Sequence, residues 1–493
     1  MSFPRYGHSA VAWIALAPLL LVLVRPPELG TRRAFLLGLV AGAGYFGGTV
    51  YWTPAVMRTF GGLHWPLAVV VGGLLVAYLA LFPAVFAAIV ARLVRALGVR
   101  ALLLAPVVWV ATEWARRYVL GGFPWVLLGA SQASAIPIAQ SASVAGVYGL
   151  SALVVLASAA AVMAAAGRGR DRVVVPVCTL VLIGGLAAWG QWRVQEGSLL
   201  SNGDPVRIAL VQGNIRQEEK WNQASAAQIL DTYLKLTMQA ADQGARLVVW
   251  PESATPFLFE YDAGGRALIT EVVRSRGIYL LFGSDQFEPG TPPRYFNSAF
   301  LLNPAGAAAG VYKKMHLVPF GEYVPLKRLL FFAAPLVEAV SDFSPGEQAV
   351  VMSLGSHTLS TAICYEVVYP DLIADFVQRG SQLLTTITND AWYGESSAPY
   401  QHFEQAALRA VEQGRYLIRA ANTGISGIVD PYGRVVIASP IFERTVVTGD
   451  VRFLSGRTIY GRTGDAFAVA CVLLTLLAVA ATWRRRTAGA GSR

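Results

Sequence analysis

A chain of 493 residues with 55% hydrophobic and only 14% charged side chains, and a mean hydropathy of +0.49, is too apolar for a soluble globule of that length. Its net charge of +10 would suit a nucleic-acid binder, but the basic excess flanks the apolar segments and is entirely arginine there. Orientation in a bilayer explains that placement better than phosphate binding, so nucleic acid is set aside as a partner.

Apolar spans are predicted near 9–24, 34–51, 65–91, 101–119, 139–166 and 174–192, with a last one near 466–483. A crossing needs about 20 apolar residues, so the first run is short, while 65–91 and 139–166 have length to spare. No cleavable signal peptide is predicted, because the first run lacks a charged region ahead of it and a small-residue cleavage site behind it. Arginines follow alternate spans: Arg25, Arg32 and Arg33; Arg92, Arg95 and Arg100; Arg168, Arg170 and Arg172; Arg484, Arg485 and Arg486. The positive-inside rule makes that face cytoplasmic and puts the N-terminus and the block 193–465 on the other side, the periplasm in a bacterium. The expected organisation is a helical membrane domain of about six spans over 1–192, a connector over 193–204, a periplasmic domain over 205–453, and a last span with a basic tail over 454–493. The loops 53–66 and 116–132 mix glycine, aromatics and arginine, as interfacial belts or a lipid-facing mouth do. Glu113, Arg116 and Arg117 would there hold a lipid head group or snorkel.

The block 205–453 alternates strand-like and helix-like runs. Strands are predicted over 206–214, 246–253, 278–285, 295–304, 310–318, 357–366 and 382–390, and helices over 223–245 and 402–422. A hairpin over 426–438 turns at Asp430-Pro431-Tyr432-Gly433. Runs of consecutive Val, Leu and Ile in the central strands indicate sheets covered on both faces, hence an α/β sandwich-type domain. No internal repeat is visible. The segment 319–340 has the composition of an amphipathic arm that touches a membrane.

Three polar residues sit at or near the ends of apolar strands: Glu252 after "RLVVWP", Lys314 in "VYKKMHLVPFGEYVP", and Cys364 after "STAI". Strand ends offer a rigid backbone facing a crevice. Acyl transfer by a thiol needs a base for its proton, donors for the oxyanion and an acid for the leaving group. A carboxylate can replace histidine as the base if a dry pocket raises its pKa, and a lysine can then stabilise the oxyanion. Glu252, Lys314 and Cys364 supply the three functions. Cys178 and Cys471 fall inside long apolar runs and are expected to be small buried hydrophobes. The five histidines, His8, His64, His316, His357 and His402, are scattered without metal-ligand spacing and read as surface or loop residues.

The motifs "WPES", "K-x-x-L-V-P-F-G-E" and "I-C-Y-E", in this order, resemble the nitrilase superfamily, whose members carry a Glu-Lys-Cys triad on an αββα sandwich. With the flanking spans and "LVPFGEYVP", the chain resembles its membrane-embedded branch, the apolipoprotein N-acyltransferases. The resemblance extends through "FGG" (60–62), "GFPW" (122–125), "VQGN" (211–214), "TNDAWYG" (388–394), "ANTGIS" (421–426) and "RTGD" (462–465). It implies Glu252 as base, Lys314 as oxyanion lysine (with Lys313 the adjacent alternative) and Cys364 as nucleophile. It implies Glu322, Tyr365 and Glu366 as supporting residues, and Trp221, Asn389 and Trp392 as substrate contacts. It also implies a phospholipid acyl donor, a diacylglyceryl-lipoprotein acceptor, a monomer in the bacterial inner membrane, and no metal or cofactor. The family pattern has eight spans, and this chain begins where the second of them would. Two other readings are a membrane-tethered amidase acting on small amides and a transporter or scaffold with an inert domain.

Overall fold

The structure is a computed structural model that describes residues 2–25, 29–220, 222–319, 321–323 and 343–490. The chain divides into two compact units, one of 1–58, 63–196 and 463–493, the other of 59–62 and 197–462.

The first unit is helical. Trp65–Leu97, Ala142–Ala166 and Asp171–Ser201 are long and apolar enough to cross a membrane, and Thr31–Thr49 with Thr53–Thr59, bent by 52°, adds a fourth if counted as one span. Ser9–Val24 and Ala466–Thr482 are apolar but shorter. Seven apolar runs therefore do not become seven long helices among the described residues. The run 101–119 divides into a 3-10 stretch, Val99–Leu104, and a helix, Ala105–Ala115. Pro106 occupies that helix's first turn, where a missing N–H costs nothing. The run 9–24 likewise divides at Leu16, with a proline opening the second helix. Helices Thr31–Thr49 and Trp65–Leu97 pack backbone against backbone. A Cβ on Gly38 would stand 2.4 Å from Pro83 O, and one on Gly42 would stand 2.8 Å from Ala80 Cα. Small residues four apart permit that approach where apolar lipid supplies no hydrophobic drive.

Glu113 and Arg116 do not snorkel. They are 3% and 2% exposed; Glu113 Oε1 accepts the Leu128 N–H at 2.6 Å, and the Arg116 guanidinium lies 4.9 Å from the Phe46 ring centroid. Arg117 pairs with Asp465 at 3.7 Å. Cys471 is buried, but Cys178 is exposed, because Asp171–Glu196 keeps little of its surface inside the unit.

The second unit is an αββα sandwich. Its strands, in chain order, are β1 (Pro205–Gln212), β2 (Leu247–Val249), β3 (Tyr279–Glu288), β4 (Arg294–Leu302), β5 (Ala308–Lys313), β6 (Val351–Leu354), β7 (His357–Ile363), β8 (Leu383–Thr388), β9 (Leu417–Ala421), β10 (Gly427–Val429), β11 (Val435–Ala438) and β12 (Thr445–Arg452). They form two six-stranded sheets, ordered β12-β1-β2-β3-β4-β5 and β11-β10-β9-β8-β7-β6. Each sheet has three parallel strands, β1-β2-β3 or β7-β8-β9, continued by an antiparallel pair and flanked by one antiparallel edge strand. The sheets thus repeat one topology that the sequence does not display.

Helices Gln223–Asp242 and Ala263–Arg276 connect the parallel strands of the first sheet, and Pro370–Gln378 and Ala398–Gln413 those of the second. Asn222 and Asp262 cap the first two by accepting backbone N–H groups. The helix expected over 402–422 ends early. Gly414, at φ +60°, terminates it, and Leu417–Ala421 is instead the buried strand β9. A run of apolar residues beside a left-handed glycine fits a core strand as well as a helix, and the parallel partner β8 decides it.

At the crest of the first sheet, β3 presses against the turn that carries Glu252. A Cβ on Gly283 would stand 2.4 Å from Ser253 N and 2.7 Å from Glu252 Cα. Gly283→Ala is therefore expected to push this turn outward at a cost of about 1–3 kcal/mol, seen as a lower thermal midpoint of the solubilised protein together with lost activity. An unchanged midpoint and activity would contradict the close approach.

Candidate active site

The turn after β2 delivers Glu252, which is 6% exposed. Trp250 roots it: the indole is fully buried, stacks on Tyr233 at 5.0 Å and donates to Thr237 Oγ1 at 2.8 Å. Glu252 Oε1 accepts Asn297 Nδ2 at 2.7 Å and Lys314 Nζ at 3.2 Å, and Oε2 accepts the Asn389 N–H at 2.9 Å. The sequence leads us to expect a carboxyl raised by a dry pocket. Burial does act that way, but Lys314, then Lys220, and the Asn297 hydrogen bond outweigh it and hold the group below its ordinary value.

Lys314 follows β5, with its N–H on Asn297 O at 2.9 Å. Its ammonium is 1% exposed and lies between Glu252 and Glu322 Oε1, the latter at 2.8 Å. Burial alone would lower it; the two carboxylates and the Cys364 position drive it well above the usual lysine range. Glu322 also accepts Asn297 Nδ2 at 3.0 Å and the Val318 N–H at 2.8 Å. The adjacent Lys313 points elsewhere, pairing with Glu288.

Cys364 follows β7 and opens the 3-10 stretch Cys364–Val368. Its φ of +53° lies in the left-handed region, a cost of order 1–3 kcal/mol for a residue with a Cβ. The thiol is 4% exposed, and burial first, then the Glu252 charge, push its proton affinity far up while Lys314 pulls the other way. In the resting site the thiol is therefore protonated and Glu252 ionised.

Glu366 does not reach Glu252 or Lys314 by any hydrogen bond among the described residues. Its carboxylate staples the elbow to the chain around Lys314. Oε2 accepts the Ile363 N–H at 2.7 Å, and Oε1 accepts the Tyr312 hydroxyl at 2.7 Å and the N–H groups of Met315 and His316 at 2.6 and 3.1 Å. Burial pushes this carboxyl up to about 7 against those donors. Tyr365 is buried edge-on to Tyr369. Asn389 bonds Gln217 and Asn422, and Trp392 sits 4.7 Å from the Phe60 ring. Trp221 lies outside the described residues, as does most of the 319–340 arm.

Lys220 and Asn297 are not singled out by the sequence, and His402, expected at the surface or in a loop, is not there. Lys220 is 4% exposed and donates to Glu252 O at 2.9 Å; burial brings its ammonium down to about 8 against the pull of Glu252, Asp285 and Cys364. Asn297, on β4, bridges Glu252 and Glu322. His402 is fully buried and reaches the Cys364 carbonyl. A lysine in "EEKW" and an asparagine in "YFNSAF" carry no signal that separates them from surface residues.

Replacing Lys314 by Met should leave Glu252 and Glu322 facing each other without their shared cation. In the wild type, the depressed Glu252 contributes stability above the ordinary carboxylate range that is lost as pH falls through its folded value. In the variant, burial wins, the folded carboxyl titrates above its unfolded value, and stability falls as pH rises. The deficit in the thermal midpoint should therefore be larger at pH 8, where breaking a buried pair costs about 3–5 kcal/mol, than at pH 5. Equal deficits at both would count against this electrostatic arrangement.

A model of the carbon-nitrogen hydrolase family matches residues 207–459, and one of the apolipoprotein N-acyltransferase N-terminal domain matches residues 1–160. An apolipoprotein N-acyltransferase of Geobacter metallireducens is 41% identical over 99% of this chain and 94% of its own length. One of Methylococcus capsulatus is 36% identical over 94% of this chain and 90% of its own. Among solved structures, an amidase of the nitrilase superfamily from Nesterenkonia is 24% identical, covering 55% of this chain and 97% of its own at a TM-score of 0.42. With both family models matched in turn along the chain, and relatives aligned across nearly all of it, the chain belongs to the apolipoprotein N-acyltransferase family.

Proposed function

We propose that the protein transfers an acyl chain from a phospholipid to the α-amino group of the S-diacylglyceryl-cysteine at the N-terminus of lipoproteins. The observation that carries this reading is the buried cluster of Glu252, Lys314 and Cys364 in a chain of this family. Cys364 Sγ attacks the ester carbonyl as Glu252 takes the thiol proton. Lys314 holds the oxyanion, joined by nearby backbone N–H groups. Collapse breaks the C–O bond, and the lysophospholipid leaves with the proton from Glu252, giving a thioester on Cys364. The amine then attacks, Glu252 accepts its proton, and the C–S bond breaks as that proton returns to the thiol. No bond is made that needs ATP, because a thioester keeps the reactivity of the ester and the amide is the more stable product. Since the resting thiol holds its proton tightly, the nucleophile forms only as attack proceeds, which is general-base rather than pre-ionised catalysis.

The ionised Glu252 can accept a proton and the elevated Lys314 stays charged for the oxyanion; Glu322 and Glu366 support these roles by fixing Lys314 and the elbow. Asn389, Trp392 and Trp221 are the proposed substrate contacts. The second unit, with a catalytic domain over 205–453, would lie on the periplasmic side of the inner membrane, as the arginine-flanked spans suggest. One chain supplies every residue of the cluster, which suits a monomer.

Incubation with a diacyl phospholipid should raise the mass at Cys364 by one acyl chain, removable by hydroxylamine. Cys364→Ala should show no adduct and lose activity by about three orders of magnitude or more. Turnover of the Ala variant at the wild-type rate would sink the mechanism. Release of ammonia from small amides, without acylation of a diacylglyceryl lipopeptide, would favour an amidase instead.

A further inference from the structure

Behind the elbow lies a buried polar network that the acyl-transfer steps leave unused. His402 projects from helix Ala398–Gln413, Asp390 from the turn after β8, and Arg419 from β9; none is more than 1% exposed. His402 Nε2 lies 3.0 Å from the Cys364 carbonyl oxygen and Nδ1 lies 3.1 Å from Asp390 Oδ1. Arg419 donates to Asp390 Oδ2 at 2.8 Å and approaches His402 Nδ1 at 3.0 Å. Thr388 Oγ1 donates to Asp390 Oδ1 at 2.9 Å.

The proton on the ring follows from its partners. A carbonyl only accepts, so Nε2 must donate to Cys364 O. Nδ1 lies between Asp390 Oδ1, which only accepts, and Arg419, which only donates, so it is the Cys364 carbonyl that fixes a hydrogen on Nε2. Burial, then the Arg419 charge, hold His402 below the ordinary imidazole range against the pull of Asp390.

A peptide unit is planar, with its C=O and N–H pointing opposite ways. Holding the Cys364 carbonyl therefore fixes the plane that carries the Tyr365 N–H, and with it the Cα from which the thiol projects. Cys364 sits in a backbone region that a residue with a Cβ leaves when released. We propose that His402, oriented by Asp390 and Arg419, is a positioning residue that clamps the nucleophile's carbonyl and keeps the elbow in its attacking geometry. This rests on Cys364 being the nucleophile.

The test compares His402→Gln, whose amide can place an N–H near the site of Nε2, with His402→Met, of similar size and no donor, in the full-length solubilised chain. His402→Ala replaces Met if the Met variant does not accumulate. The Met variant should lose about 10–100-fold in the rate of thioester formation with KM within about twofold, and Gln should recover to within about fivefold of wild type. Iodoacetamide alkylation of Cys364 should show a displaced pH profile in Met and a near-native one in Gln. Equal acylation rates and equal alkylation profiles in the two variants would overturn the clamp. If wild type forms no thioester, the acyl-transfer reading fails on its own, and the alkylation profiles still decide the clamp.

Discussion

One ammonium group organises the catalytic unit. Lys314 is buried with Glu252 on one side and Glu322 on the other, and Asn297 donates to both carboxylates. Removing a lone charge from water costs several kcal/mol, so a buried Glu252 or Lys314 alone would tend to its neutral form. Together they stay charged, because each offsets the other's charge. The result is a carboxylate that is ionised yet dry, beside a thiol that is neutral yet within its field.

The fold supplies this arrangement by bringing strand ends together. Glu252 follows β2, Lys314 follows β5, Cys364 follows β7 and Asn389 follows β8. The first two belong to one sheet and the last two to the other. Rigid strands and short turns hold the groups, and Glu366 ties the elbow after β7 to the segment after β5. Two sheets of the same topology make both sets of strand ends available at once.

Much of this was legible in the residues themselves. Alternating apolar runs gave most strands, and the helix start at Asn222 and the hairpin turn at Asp430 follow from local chemistry; Gly433 N–H closes that turn on Asp430 O at 2.9 Å. The strand ends after "VVWP" and "STAI" pointed to Glu252 and Cys364. What stayed hidden depends on long-range pairing. β9 read as the end of a helix because "RYLIRAA" suits either period, and only β8 and Asp390 explain an arginine buried inside it. His402 read as a loop residue because nothing adjacent in sequence marks its partner 38 residues away. In the helical unit, proline and glycine placements divided runs that hydropathy alone joins.

The hydrogen bond from the Asn389 N–H to Glu252 Oε2 spans the two sheets. A buried carboxylate that loses a donor gains proton affinity. Any loosening between the sheets would therefore raise the proton affinity of Glu252 before a strand or helix melts. The tightness of the sandwich is then itself a determinant of how strongly this carboxylate holds a proton, and packing changes far from the thiol can reach the proposed base while leaving secondary structure intact.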